Sequence, residues 1–282
     1  VNENLRKVTE TSSNTGGQEG GMDRPVHLSL TGIDLFIGGF QILQGISMEA
    51  YEGELLALIG PNGAGKTSLL NCINGIYHPS KGRILFEDLD LIGFKPHSVA
   101  QMGITRTFQH AELFRHMTVL GNLLVGRQIK MDKGLLSNGI FWGKTIKEEL
   151  AHREAVEEII EFLELERYRK SDALGLPYGI QKIVGLGRAL AMEPKILLLD
   201  EPSAGMNRQE KEDLARFILR IKYEIGITMI WVEHDMQLVG DLADRIVVLN
   251  FGTKIAEGSW DEVVDDPQVV QAYIGTGGSE KQ

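Results

Sequence analysis

Residues 60–67 have the composition and spacing of a loop that holds phosphate groups. Their sequence, Gly-Pro-Asn-Gly-Ala-Gly-Lys-Thr, fits the pattern G-x-x-x-x-G-K-[ST]. The glycines let the backbone turn so tightly that successive amide N–H groups face an anion. The Lys66 ammonium can then reach the β- and γ-phosphates of a triphosphate, and the Thr67 hydroxyl can ligate Mg²⁺. The residues predicted to contact the phosphates are Gly60, Pro61, Asn62, Gly63, Ala64, Gly65, Lys66, Thr67 and Ser68.

The segments on either side of this loop are those that a phosphate site requires. The apolar run of residues 55–59 predicts a strand before the loop, and residues 68–73 predict a helix after it. The positive end of that helix adds to the attraction for phosphate. A glycine turn that binds nothing is the alternative, and the strand and helix around the loop disfavour it.

Two adjacent carboxylates, Asp200 and Glu201, lie at the end of a second apolar run, residues 195–200. Such a run predicts a strand buried on both faces, and its end should lie beside the phosphate loop. Asp200 is placed to serve Mg²⁺ directly or through water, and Glu201 to polarise the attacking water. The alternative is that Asp200 and Glu201 only cap the next segment. Two carboxylates at the end of a buried strand need a partner for their charge, which disfavours that reading.

Two further polar side chains lie where predicted strands end. His234 follows residues 227–232 and could donate a hydrogen bond to the γ-phosphate. Gln109 closes the predicted strand of residues 104–109, and by itself it indicates little. Because strand ends of a parallel sheet share one edge, His234 is predicted to join the catalytic group.

Strands that alternate with helices predict an α/β fold with a mostly parallel core sheet. An antiparallel β segment over residues 26–48, with a turn at Gly38-Gly39, should precede it. Residues 118–170 predict an inserted group of helices, broken by a glycine-rich segment at 134–143. Residues 1–24 have almost nothing apolar to bury and are predicted to be disordered, so the folded part could begin near Met22 or Asp23.

The amino-acid composition restricts the classes of partner and the cellular location that we expect for the protein. A net charge of −10 and a pI near 5.3 argue against nucleic-acid binding through a general basic surface. No run approaches about 18 apolar residues, and no secretory signal is recognisable. The single cysteine, Cys72, cannot form an internal disulfide, which fits a reducing cytosol, and it is predicted to be a small core residue.

The order of these motifs resembles the ATP-binding subunit of an ABC transporter, a P-loop NTPase, from about residue 26 to residue 275. Besides the residues above, the resemblance includes Leu176-Pro-Tyr-Gly-Ile-Gln181 and Ser203-Ala-Gly-Met-Asn207. It implies ATP and Mg²⁺ as cofactors, with Thr67, Gln109 and Asp200 around the metal. It also implies Glu201 as catalytic base, His234 as γ-phosphate sensor, and Gly179 facing ATP held by a second subunit. Residues 203–207 resemble the loop through which two such subunits communicate.

A finer resemblance points to the branched-chain amino acid importer subclass. It is carried by Arg106-Thr-Phe-Gln-His110, by the insert of residues 127–150 and by Gly252-Thr-Lys-Ile-Ala-Glu-Gly258. The implied protein is an ATP-hydrolysing motor for branched-chain amino acids or related small polar solutes, bound to the inner face of the cell membrane. Its implied partners are a second ATPase subunit, identical or different, membrane-spanning permeases and, indirectly, an extracytoplasmic solute-binding protein; no nucleic acid is expected.

The resemblance divides the chain into an extension (1–24), an ABC ATP-binding domain (25–275) with a helical subdomain at about 115–190, and a flexible tail (276–282). Three alternatives remain at this stage. A lipopolysaccharide-export ATPase shares several motifs but typically lacks the insert. A soluble ABC ATPase generally has two cassettes or a long coiled coil, and a small-molecule kinase would lack the signature helix.

Two positions depart from the family pattern. In the usual signature, Leu-Ser-Gly-Gly-Gln, a serine stands where this chain has Pro177 and a glycine where it has Tyr178, so one hydroxyl contact to ATP is lost. The aromatic that usually stacks on adenine falls at Ile37, next to Phe36 and Phe40. Either phenylalanine could supply the stack, or both could be core residues.

Overall fold

The computed structural model describes residues 24–107, 113–114, 116–130 and 142–274. The predicted extension apart from Arg24, the tail of residues 276–282, most of the glycine-rich break, and Gln109 lie outside these residues. The described part contains a four-stranded antiparallel sheet, a six-stranded mostly parallel sheet and nine α-helices. This arrangement confirms the predicted α/β fold class.

The antiparallel sheet is built on a long hairpin. Strands β1 and β2 pair along their length, and Gly38 and Gly39, both with positive φ, form the turn between them as predicted. The strand order is β2-β1-β4-β5. The bounds are β1 (Val26–Ile37), β2 (Phe40–Tyr51), β4 (Lys81–Phe86) and β5 (Leu89–Asp90).

The six-stranded sheet holds the ends of the predicted catalytic strands side by side. Its order is β10-β9-β3-β8-β7-β6; β6, β7, β8, β3 and β9 run parallel, and β10 pairs antiparallel to β9. Every residue of β3, β7 and β8 is buried, because both faces of the sheet are covered. The bounds are β3 (Leu55–Ile59), β6 (Ile104–Thr107), β7 (Ile196–Asp200), β8 (Thr228–Val232), β9 (Arg245–Asn250) and β10 (Thr253–Gly258).

Alternating side chains along these strands divide the core into layers. In β8, Ile230 and Val232 pack toward the antiparallel sheet, whereas Met229 and Trp231 pack toward the inserted helices. A third, smaller cluster lies between β9 and the last helices of the chain. The central sheet is therefore held rigidly from both sides, which fixes the edge where its strands end.

The helices surround this sheet. The helix bounds are α1 (Lys66–Ile73), α2 (Pro96–Met102), α3 (Val119–Arg127), α4 (Trp142–Phe162), α5 (Tyr178–Leu190), α6 (Arg208–Arg220), α7 (Met236–Leu242), α8 (Trp260–Val264) and α9 (Pro267–Ile274). Thr118 caps α3, and Asn207 with Glu210 forms a capping box at α6. A five-residue π-helix, Ile221–Ile225, continues α6. None of the described helices is long and apolar enough to cross a bilayer.

Candidate functional site

The phosphate loop joins β3 to α1, as the sequence predicts. Gly60 and Gly65 have φ values of 143° and 101°, conformations that L side chains rarely adopt. A Cβ atom on Gly60 would lie 2.0 Å from the Leu249 carbonyl oxygen, and one on Gly65 would lie 2.7 Å from a Leu43 methyl. The Gly252 amide donates to the Ala64 carbonyl at 3.0 Å. Neighbouring strands therefore hold the loop in shape from outside.

Lys66, the first residue of α1, is 5% exposed and its ammonium group lies under the loop. It donates to the carbonyl oxygens of Gly60 at 2.7 Å and Pro61 at 3.0 Å. Burial lowers the Lys66 pKa, and the carboxylates of Glu201 and Asp200 oppose that shift. Those two carboxylates are thus close enough to act on the lysine, which places the loop and the end of β7 in one site.

The remaining loop residues surround this lysine. Ala64 is buried and its amide donates to the Pro61 carbonyl at 3.1 Å, which closes the turn. Asn62 and Gly63 are exposed, so their amides can meet a ligand from solvent. In the first turn of α1, Thr67 is exposed and Ser68 is half-buried. The predicted phosphate contacts therefore lie together in the loop and the first turn of α1, where Asn62, Gly63 and Thr67 are exposed.

Asp200 ends β7 and is 2% exposed. Its Oδ2 accepts a hydrogen bond from Arg106 of β6, whose guanidinium also donates to Asn71 of α1. Its Oδ1 is buried and has no hydrogen-bond partner among the residues that the structure describes. A buried carboxylate oxygen of this kind suits a hard cation such as Mg²⁺, whose preferred ligands are oxygens.

Glu201 and His234 contact each other directly, although they follow different strands. His234 Nε2 lies 2.8 Å from Glu201 Oε1. Glu201 has a φ of 47°, a strained value for a residue with a Cβ, and its amide donates to the Val232 carbonyl at 2.9 Å. The two side chains thus lie together, and their catalytic roles stay predictions.

A second buried glutamate, Glu233, supports the loop of residues 203–207. It is 2% exposed, and it accepts from the amides of Ser203 at 3.3 Å and His234 at 2.9 Å. Lys182 of α5 is 7% exposed, and burial lowers its pKa while Glu233, Glu201 and Asp200 oppose the shift. Helix α5 therefore carries a positive charge toward the catalytic carboxylates. The sequence prediction assigned no role to Glu233, although it lies beside His234 at the end of a buried strand, and nothing in the local pattern marks Lys182.

The signature helix α5 begins at Tyr178, with Pro177 as its N-cap residue. Its amphipathic face is buried along its length, which stabilises the helix against the core. The Gly179 amide donates to Glu210 Oε1 at 3.2 Å, and a Cβ on Gly179 would lie 2.5 Å from that oxygen. The amide predicted to face nucleotide thus donates to a carboxylate oxygen of the same chain in this structure.

The predicted base-stacking region lies at the hairpin turn between β1 and β2. Phe40 is 77% exposed, Phe36 is 48% exposed and Ile37 is 40% exposed. The prediction that both phenylalanines could be core residues is wrong, because neither is buried. Both stay candidates for contact with adenine.

The fold and the loop define a P-loop ATPase: a strand, a glycine-rich loop and a helix beside an Asp-Glu pair at the end of a parallel strand. Sequence comparison identifies the family. The profile described as ABC transporter matches residues 43–204, and that described as branched-chain amino acid ATP-binding cassette transporter matches residues 253–279. The chain belongs to the ABC transporter family, and it is an ATP-binding subunit with ATPase activity.

Relatives of known description and solved structures agree with this assignment. The chain is 39% identical over 257 residues to the high-affinity branched-chain amino acid transport ATP-binding protein LivG of Escherichia coli K12, covering 90% of this chain and 99% of the relative. It is 37% identical to BraF of Pseudomonas aeruginosa, a protein of the same description, with the same coverage of 90% and 99%. The structure matches a nucleotide-free ATP-binding cassette from an ABC transporter with a TM-score of 0.78 and 35% identity, covering 89% of this chain and 100% of that one.

Proposed function

We propose that this chain hydrolyses ATP to drive import of branched-chain amino acids or related small polar solutes. The observation that carries the proposal is the meeting of the phosphate loop, Asp200, Glu201 and His234 at one sheet edge. The named relatives are branched-chain amino acid transport proteins, and the profile match at residues 253–279 favours that subclass over a lipopolysaccharide exporter.

Each site residue has a role that its position supports. Lys66 and the loop amides bind the phosphates, since the ammonium lies under a loop in which Asn62 and Gly63 are exposed to solvent. Glu201 acts as the general base for water, and His234, 2.8 Å away, orients that carboxylate and senses the γ-phosphate. The roles of Gln109 in catalysis and at the metal site rest on the family resemblance alone.

The Asp200 environment fits the implied magnesium ion. Its buried Oδ1 is available, and Thr67 presents an exposed hydroxyl at the beginning of α1. Asp200, Thr67 and Gln109 would hold the ion, which when bound neutralises charge on the phosphates.

Two half-sites in one chain support a head-to-tail pair of ATPase subunits. The phosphate loop forms one half-site, and the beginning of α5, where the Gly179 amide already holds a carboxylate oxygen, forms the other. Two such chains, or this chain and a different ATPase subunit, would close with ATP between the two kinds of half-site. Hydrolysis would then reopen the pair.

Transport requires partners that cross the membrane. We place the chain at the inner face of the cell membrane, with residues 25–275 as the ATP-binding domain. The helical subdomain at about 115–190 and the segment after Gln109 would contact the permeases. An extracytoplasmic binding protein would act on the chain only through those permeases.

Replacing the proposed base tests the catalytic assignment. We expect Glu201→Gln to lower the ATP turnover rate by about 100-fold or more, because a positioned general base contributes that much. ATP binding should persist, so an ATP-bound dimer should accumulate in size-exclusion chromatography. The matched control is Glu212→Gln, an exposed position on α6 paired with Arg208, which should hydrolyse ATP at the parent rate. If the Glu201→Gln variant hydrolysed ATP at the rate of the parent protein, another group would have to be the base.

A further inference from the structure

A buried arginine joins three elements of the nucleotide site. Arg106 belongs to β6, where it pairs with Leu198 of β7, and its side chain is 11% exposed. One terminal nitrogen, Nη2, donates to Asp200 Oδ2, and the other, Nη1, donates to Asn71 Oδ1. Asn71 lies on α1, the helix that begins with the phosphate-binding lysine. A single guanidinium thus connects that helix to the carboxylate at the end of β7.

These contacts restrict how Asp200 can be oriented. A carboxylate that is 2% exposed needs a counter-charge, and Arg106 supplies it. The planar guanidinium also has fixed donor directions, so its bonds to Asp200 and Asn71 set an angle as well as a distance. Since Oδ2 is occupied by Arg106, the second oxygen, Oδ1, is the one left for another ligand.

We propose that Arg106 is a positioning residue for magnesium: by holding Oδ2 of Asp200 against Asn71, it presents Oδ1 to the metal bound with the nucleotide. The inference rests on the metal role proposed above for Asp200. It assigns to this arginine the part that outer-shell partners play at other metal sites, where they orient the ligand that contacts the ion. Arg106 touches neither nucleotide nor metal in this role.

A purely structural ion pair would give a different result from a positioning residue. If Arg106 only neutralised Asp200, its loss would weaken the fold and would weaken nucleotide binding with or without Mg²⁺. If it orients Oδ1, the loss should be confined to the Mg²⁺-dependent part of binding. The ratio of the two dissociation constants, measured with Mg²⁺ and with a chelator, separates the two cases.

The experiment measures equilibrium binding of a fluorescent, non-hydrolysable ATP analogue to the full chain, with Mg²⁺ and with EDTA. Arg106→Lys keeps the charge but cannot make both hydrogen bonds in the same geometry. We expect it to reduce the Mg²⁺-dependent gain in affinity by about 10-fold or more, as outer-shell substitutions typically do, while affinity in EDTA changes less than about 2-fold. Asn71→Ala, which leaves Arg106 in place, should give a smaller loss in the same sense.

Two reference variants make the outcome decisive. Arg127→Lys changes another buried arginine, which pairs with Glu193 away from this site, and it should leave the ratio unchanged. Asp200→Asn should abolish the Mg²⁺-dependent gain. If Asp200→Asn retains it, the proposed metal role of Asp200 is wrong and the inference falls with it. If Asp200→Asn loses the gain while Arg106→Lys and Asn71→Ala keep it, only the role of Arg106 is wrong.

Discussion

Among single residues, Cys72 shows how burial controls chemistry beside the nucleotide site. It lies on α1 and is 3% exposed, and burial raises the pKa of its thiol to about 12. Because the thiolate is the reactive form, the folded protein should not react with thiol reagents at pH 8. The raised pKa also means that the thiol's contribution to stability is complete below its ordinary pKa of 9.0 and is lost as pH rises toward 12.

Labelling with a chromogenic disulfide reagent measures this directly. We expect no reaction in buffer, and one equivalent after unfolding in guanidinium, since the chain has one cysteine. Rapid reaction of one equivalent with the folded chain would contradict the burial of Cys72. The reading of this residue as part of the core, made from its place on a predicted helix, is confirmed by the structure.

Residues that belong to local motifs were predictable, and residues that act across the fold were not. Lys66 and Asp200 could be recognised because glycine spacing and an apolar run mark their neighbourhoods in the sequence. Arg106 contacts Asp200 across 94 positions, and Glu210 contacts Gly179 across 31. Such pairings depend on strand order and helix placement, which one sequence does not show.

Among elements, the buried strands were predicted well and a weakly patterned edge strand was not. Residues 104–107, 196–200 and 228–232 form strands as expected. In the last two, a buried apolar run marks the strand in the sequence. Helix α5 begins at Tyr178 because burial of its apolar face outweighs the weak helix propensity of Tyr178 and Gly179. Strand β10 was not predicted, since its residues are only partly buried and lack a strong alternation.

Close packing of α3 on α5 gives a prediction at the level of elements. A Cβ on Gly126 of α3 would lie 2.3 Å from the Arg188 carbonyl oxygen of α5, so Gly126→Ala must push the two helices apart. We expect it to lower the free energy of unfolding by about 2–3 kcal/mol, the usual effect of overpacking. The quantity to measure is the midpoint of denaturant unfolding, at an unchanged slope.

Gly185 of α5 provides the matched control. A Cβ there would meet no atom within 4 Å, and its φ is not positive. Gly185→Ala should therefore raise the free energy of unfolding by about 0.5–1 kcal/mol, because alanine loses less backbone entropy in a helix. Equal effects from the two substitutions would show that α3 and α5 are not in such close contact.

At the scale of the whole molecule, the two half-sites explain why the proposed ATP site needs two subunits. The Asp200 edge and the beginning of α5 belong to the same chain, and in the proposed pair each meets its counterpart on a second subunit. The cassette fold was predictable because six motifs occur in order. The solute was not, because the chain carries ATP chemistry and other subunits would contact the transported molecule.

Purification from membranes tests the proposed place of this chain in a transporter. We expect the tagged chain, extracted in detergent, to co-elute in fixed ratio with membrane-spanning subunits, because the proposed transport function requires them. ATP hydrolysis by that complex, reconstituted in vesicles, should rise when a binding protein loaded with leucine, isoleucine or valine is added. The ratio of ATPase subunits in the complex distinguishes a pair of identical chains from a mixed pair.

A fully active cassette that elutes without membrane-spanning subunits would favour the alternative of a soluble ABC ATPase. Stimulation of ATP hydrolysis by other solutes alone would overturn the branched-chain assignment.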